Sequence, residues 1–85
     1  MPQPFQQPPQ FKTRTAVVIF TKSSAAPIIL YFENPMAVYE ELAQIVKTSS
    51  AAGKFIEKDT IGPIKKFCIH SNQIAGIAIQ EEQYV

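Results

Sequence analysis

The sequence AVVIF at residues 16–20 and the sequence IILYF at residues 28–32 decide the fold, because both are strand-like and almost entirely apolar. Successive side chains of a β-strand point to opposite faces of its sheet. A strand with one face in water therefore alternates apolar and polar residues, and these two runs do not. We expect both faces of this part of the sheet to be covered.

The segment after the second run predicts a single amphipathic helix. Asn34 is a favoured N-cap residue, and Pro35 suits the first helical position, where no amide donor is needed. From Pro35 to Ser49 the apolar residues follow a helical spacing that forms one stripe, which contains Val38, Leu42, Ile45 and Val46. One helix covers one face of a sheet, so the second face is left for a second copy of the chain or for a protein partner.

The remaining chain predicts three more strands, at residues 54–60, 64–70 and 74–80. Ile74 is out of phase with Ile77 and Ile79, and Gly76 between them favours a β-bulge. With strands at residues 13–21 and 27–32, the element order is β-β-α-β-β-β. This order predicts an α+β two-layer sandwich with a mostly antiparallel sheet and one helix packed on one face. The order of the strands in the sheet stays open.

The 85-residue length predicts one folded domain with two terminal extensions. Residues 1–12 are rich in proline and glutamine, which favours a disordered tail, with a polyproline ligand as the alternative. The α+β domain is predicted to span residues 13–82, and residues 83–85 are predicted to fray.

Charge and cysteine content narrow the function classes. Eight Lys/Arg against seven Asp/Glu give a formal net charge of +1, which argues against a dedicated polyanion binder. The single Cys68 rules out an intrachain disulfide and favours a reducing, cytoplasmic location. The N-terminal residues do not resemble a signal peptide, and no apolar run reaches the roughly 18 residues that span a bilayer, so we expect no membrane partner.

The residues that support catalysis are scarce in this chain. Cys68 and His70 would share one strand face, but a structural zinc site needs four ligands, and a Cys/His nucleophile needs a group that orients the histidine. The three glycines are too far apart to form a phosphate-binding loop. We therefore expect no enzyme activity, no metal and no cofactor.

The favoured function is a small non-enzymatic interaction or accessory module that associates with itself, as a dimer, or with a protein partner. Exposed apolar strands would drive this association. The predicted interface consists of Val17, Ile19, Ile29 and Tyr31, or of their alternating neighbours.

The alternative function is binding of nucleic acid through lysines of the third and fourth strands. Basic side chains interleaved with aromatic ones bind single strands by charge and stacking. Glu57 and Asp59 would neutralise the same hairpin, which makes this function the weaker hypothesis. The lysines concerned are Lys54, Lys58, Lys65 and Lys66.

Overall fold

A computed structural model describes residues 12–48 and 50–84 of the chain. Within these residues the helix and strands follow the predicted order, and all strand pairs are antiparallel. The predicted α+β class is confirmed. The elements are β1 (Lys12–Thr21), β2 (Ile28–Tyr31), α1 (Pro35–Thr48), β3 (Phe55–Asp59), β4 (Lys66–His70), a 3₁₀ turn (Ser71–Gln73) and β5 (Ile74–Tyr84).

The strands form a three-stranded sheet in the order β2-β1-β5 and a separate β3-β4 hairpin. The first strand is therefore central, and the last strand of the chain returns to pair with it. Helix α1 begins at Pro35 as predicted, where the carbonyl of Asn34 accepts the first helical hydrogen bond from the Val38 amide at 3.1 Å.

The register of β1 with β2 shows which residues lie on each face of the three-stranded sheet. Directly opposed residues of an antiparallel pair share a face. Val17 lies opposite Leu30, and Val18 lies opposite Ile29, so the two pairs point to opposite sides. One side, the core face, contains Val17, Ile19, Ile28 and Leu30 with Ile77 and Ile79 of β5. The other side, the outer face, contains Lys12, Arg14, Ala16, Val18, Phe20, Ile29, Tyr31, Gly76, Ala78, Gln80, Glu82 and Tyr84.

Helix α1 and the β3-β4 hairpin both pack on the core face. Leu42 of the helix is fully buried, and Ile56 of the hairpin is nearly so. The rings of Phe32 and Phe67 meet edge to face, with 6.2 Å between their centroids. The core cluster contains side chains from the helix, the hairpin and the core face, and no side chain of the outer face.

A register shift brings Ile74 into this core. The β5 partner changes from Gly76, opposite Phe20, to Ile74, opposite Thr21, so Ala75 is an extra residue on β5. This irregularity next to Gly76 is the predicted bulge, and it explains how Ile74 joins Ile77 although their spacing is out of phase.

The ends of β1 and β5 extend beyond their predicted limits. Strand β5 continues to Tyr84, where it pairs with Lys12, so Lys12 and residues 83 and 84 belong to the sheet. The physical reason is that β1 is long, and β5 gains backbone hydrogen bonds along the entire length of β1. The other residues of the predicted tail, 1–11, lie outside the described residues, as do Ser49 and Val85.

The hairpin is tied to the free side of β2 through the segment between β3 and β4. The Ile61 amide donates to the Tyr31 carbonyl at 2.9 Å, which forms an isolated antiparallel bridge. The Thr60 amide donates to the Lys65 carbonyl at 3.0 Å and closes the turn. Strands β3 and β4 are accordingly shorter than predicted, because residues 60–65 form this connection.

We expect Leu42→Ala to lower the free energy of unfolding by about 2–5 kcal/mol, because it removes a buried side chain and leaves a cavity. Urea denaturation followed by circular dichroism measures the change. Met36→Ala is the matched control, since Met36 lies in the same helix and is 55% exposed. Its effect should stay within about 0.5 kcal/mol. Equal effects of the two substitutions would contradict the packing of α1 on the core face.

Candidate interaction face

The structure places the four residues of the predicted interface on two opposite sides of the sheet. Val17 and Ile19 lie on the core face, are fully buried and belong to the core cluster. Ile29 and Tyr31 lie on the outer face, opposite Val18 and Ala16 of β1. One contact surface therefore cannot include all four residues in the folded chain, and the candidate face is formed by Ile29 and Tyr31 with the alternating neighbours of Val17 and Ile19.

One half of the outer face is apolar and flat. Phe20 and Ile29 are 44% and 39% exposed, whereas Val18 between them is buried. On β5 this half contains only small residues, Gly76 opposite Phe20 and Ala78 opposite Val18. Small residues beside larger exposed ones leave a shallow surface on which another apolar face can pack closely.

The other half of the outer face is a polar network centred on Glu82. The Arg14 Nε donates to Glu82 Oε1 at 3.0 Å, and the Tyr31 hydroxyl donates to the same oxygen at 2.8 Å. The Gln80 side-chain amide donates to Glu82 Oε2 at 3.0 Å. The Arg14 guanidinium also lies 4.2 Å from the Tyr31 ring centroid and 5.1 Å from that of Tyr84. The network links all three strands of the sheet.

The hydrogen bonds of this network shift two pKa values. The Tyr31 hydroxyl, followed by the Arg14 guanidinium, holds the pKa of Glu82 below its usual value, although partial burial opposes the shift. The bond to Glu82 raises the pKa of Tyr31, and burial adds to this effect. Glu82 therefore stays ionised and Tyr31 stays protonated near neutral pH. This arrangement stabilises a structure and does not produce a nucleophilic tyrosine.

A cleft of about 450 Å³ adjoins the network, between β1 and the connection that follows β3. Its volume falls in the range of small-molecule pockets. Arg14, which lines this cleft, is already bonded to Glu82, so the cation is not available as an isolated charge for an anionic ligand. The cleft shares Arg14 and Tyr31 with the polar half of the outer face, so it borders that face.

The four hairpin lysines do not form one basic patch. Lys58 contacts both carboxylate oxygens of Glu41 at 2.6 and 2.7 Å. Lys66 lies 3.5 Å from Asp59 and 3.8 Å from Glu57. Lys54 precedes β3, whereas Lys65 and Lys66 lie at the opposite end of the hairpin. The acidic neighbours and the separation of the lysines both weaken the attraction between these lysines and the phosphate backbone of a nucleic acid.

Cys68 and His70 share the solvent side of the hairpin. Cys68 lies opposite Glu57 and is exposed, and His70 lies opposite Phe55. The His70 ring meets the Phe55 ring edge to face at 4.9 Å, and its Nδ1 accepts a hydrogen bond from the Asn72 amide at 3.2 Å. Across residues 12–48 and 50–84, no three His, Cys, Asp or Glu side chains are grouped in a way that could hold a metal ion.

Comparison with protein-family models, with curated proteins and with solved structures found no match to this chain. The described part of the chain contains no helix that is both long enough and apolar enough to cross a membrane.

The sequence analysis missed Arg14, Gln80, Glu82 and Tyr84 as members of this face. The period-two alternation of β1 could have placed Arg14 beside Ala16 and Val18, because these residues are two and four positions apart. Glu82 and Tyr84 could not have been found in this way. Their place beside Arg14 depends on the pairing of β5 with β1, which joins distant parts of the chain.

We expect Tyr31→Phe to raise the pKa of Glu82 toward its usual value, because the hydrogen bond that lowers this pKa most is lost. In the native protein the stability from this bond is fully present above the usual glutamate pKa and is lost as pH falls through the lowered pKa. Carboxyl chemical shifts recorded by NMR across the acid range measure the change. Tyr84→Phe is the control, since only the ring of Tyr84 contacts Arg14. A Glu82 pKa that stays low in Tyr31→Phe would contradict the network.

Proposed function

We propose that this protein is a non-enzymatic interaction module of the reducing cytoplasm that associates with itself through the outer face of its sheet. The observation that supports the proposal is the exposure of Phe20 and Ile29 beside the buried Val18, on a face that contributes no side chain to the main core cluster. The helix and the hairpin both pack on the core face and do not cover the outer face. A second copy of the chain can supply the missing layer.

A two-fold axis doubles the number of apolar side chains that take part in such a contact. In an isologous interface each residue of the patch is used twice, so Phe20 and Ile29 supply four partly exposed side chains to one contact. Full burial of one such side chain stabilises by roughly 1.5–3 kcal/mol. Part of this stabilisation is already present in the monomer, because Phe20 and Ile29 are less than half exposed there.

The polar network suits the rim of this interface. Interfaces place apolar residues at the centre and polar, partly solvated residues around them. The Arg14 side chain is 47% exposed, while its bond to Glu82 leaves no unpaired charge to bury. The apolar half of the outer face would therefore form the centre of the contact, and Arg14 would lie at its edge.

The dimensions of the outer face limit the strength of the contact. Strands β1, β2 and β5 together contain 25 residues, or about 83 Å of strand, and at a width of about 4.8 Å per strand they give a flat area of about 400 Å². A stable interface buries about 800 Å² on each partner. Face-to-face packing alone therefore predicts reversible association at micromolar or weaker affinity.

We expect the native protein to show a mass above that of the monomer at high concentration, and Ile29→Glu to shift the equilibrium toward the monomer. A charge on this half of the outer face would lose its hydration on association, and nothing described on this half offers it a partner. Light scattering coupled to size-exclusion chromatography, at concentrations from about 1 μM to 1 mM, measures the change.

Phe55→Glu is the matched control for this experiment. Phe55 is 74% exposed and lies on the solvent side of the hairpin, away from the outer face. This substitution should leave the association unchanged. A native protein that is monomeric at every concentration, or an equal effect of both substitutions, would overturn the proposal.

A further inference from the structure

The three-stranded sheet has two edges, and they differ in how they are protected. Strand β2 has only four residues, follows Pro27 and is bridged through Tyr31 to Ile61. Strand β5 has eleven residues, and among the described residues it pairs only with β1. An unpaired strand edge is a template for another strand. The outer edge of β5 is therefore available for pairing along most of its length.

Features at both ends of β5 restrict which strand can pair there. The extra residue beside Gly76 distorts one end, and Glu81 and Glu82 place negative charge near the other. Bulges and charges are the usual means by which a protein blocks an edge. Here they leave the central residues 77–80 open, so they limit the register of pairing without preventing it.

Helix α1 packs on β5 and forms a groove with it on the core face. Tyr39, Ala43, Val46 and Lys47 of the helix line a cleft of about 170 Å³ together with Ile77 of β5. Tyr39, Ala43 and Ile77 are half-buried, and Lys47 is exposed. Lys47 takes part in no ion pair among the described residues, and the same is true of Glu81, which is exposed on β5.

We infer that the outer edge of β5 pairs with β5 of a second copy in antiparallel orientation, with the two-fold axis at Ile79. This register places Ile77 opposite Glu81 of the second copy, and Ala78 opposite Gln80 of the second copy. Because Lys47 lies beside Ile77, its ammonium group comes next to Glu81 of the second copy. The two-fold axis forms this ion pair twice.

Other symmetric registers fit less well. A pairing centred on Glu81 or on Glu82 sets identical carboxylates directly opposite each other, which destabilises an antiparallel pair. The pairing centred on Ile79 sets Glu82 opposite Gly76 of the second copy and leaves its bonds to Arg14 and Tyr31 intact. Among the symmetric registers along β5, only the one centred on Ile79 sets Ile77, which shares its cleft with Lys47, opposite Glu81 of the second copy. The opposite charges of Lys47 and Glu81 therefore favour the second copy as the occupant and Ile79 as the centre.

The resulting assembly is one six-stranded antiparallel sheet with both helices on the same side. This inference rests on the proposed self-association but uses a different surface. Pairing at β5 doubles the area of the outer face to about 800 Å², so that two such sheets, packed outer face to outer face, reach the area of a standard interface. The closed form that uses both contacts is a tetramer with three two-fold axes.

A charge exchange at Lys47 and Glu81 tests the edge contact. Lys47→Glu and Glu81→Lys should each raise the dissociation constant of the β5-paired dimer by roughly tenfold, because two attractive ion pairs become repulsive. The double variant Lys47→Glu/Glu81→Lys should return the constant to near the native value. Sedimentation equilibrium in the Ile29→Glu background isolates this contact, and low salt enlarges the effect. Lys65→Glu is the control, because Lys65 is exposed and lies in the connection that is bridged to β2, at the other edge of the sheet.

A cross-link tests the register independently of charge. In a Cys68→Ser/Ile29→Glu background, which removes the contact between outer faces, Ala78→Cys with Gln80→Cys places the two thiols opposite each other across the pair, at a Cα distance of about 4.5–5.5 Å that suits a disulfide. A disulfide-linked dimer under mild oxidation is expected. Gln80→Cys alone should cross-link far less, because it faces Ala78 of the second copy.

The outcomes separate this inference from the proposed function. Association that is weakened by Ile29→Glu but unchanged by either charge substitution, with no cross-link, overturns the edge contact and leaves the face contact standing. Failure of the double variant to restore association, while both single variants weaken it, also overturns the edge contact. A native protein that is monomeric at every concentration overturns both.

Discussion

Strand β1 is the element on which the rest of the structure depends, because it is the only strand with a neighbour on each side in the three-stranded sheet. Its register with β2 decides which residues face the core, and its register with β5 assembles the polar network. A shift of one residue in either register would turn Val17 outward and Val18 inward. The full burial of Val17 and Ile19 against Leu42 opposes such a shift.

The helix and the hairpin pack on the same face of the sheet, and this leaves apolar side chains of the other face exposed. A small domain buries only about 60–65% of the surface of its unfolded chain. It therefore has few elements with which to cover both faces of a sheet. Here the core face receives both covering elements, and the outer face keeps Phe20 and Ile29 exposed. The apolar half and the Arg14–Glu82 network then give one surface two chemical characters. In the proposed association, such a surface would orient a second copy as well as attract it.

The sequence predicted the elements well because their determinants are local. The helix start at Pro35 and the bulge next to Gly76 follow from the properties of neighbouring residues, and the structure confirms both. The candidate face was predicted only in part. Ile29 and Tyr31 lie on the outer face, whereas Val17 and Ile19 lie in the core, because the phase of an all-apolar strand cannot be read from a pattern without polar residues.

By itself, the sequence determined the element order, the α+β class and the excess of apolar strand surface over the cover that one helix provides. Only the tertiary structure decided that β5 returns to pair with β1, that the hairpin shares the core face, and that Glu82 accepts hydrogen bonds from Arg14 and Tyr31. The physical reason is the range of the interactions. Strand and helix preferences arise between close neighbours in the chain, whereas sheet register is set by backbone pairing and packing between residues as far apart as Arg14 and Glu82.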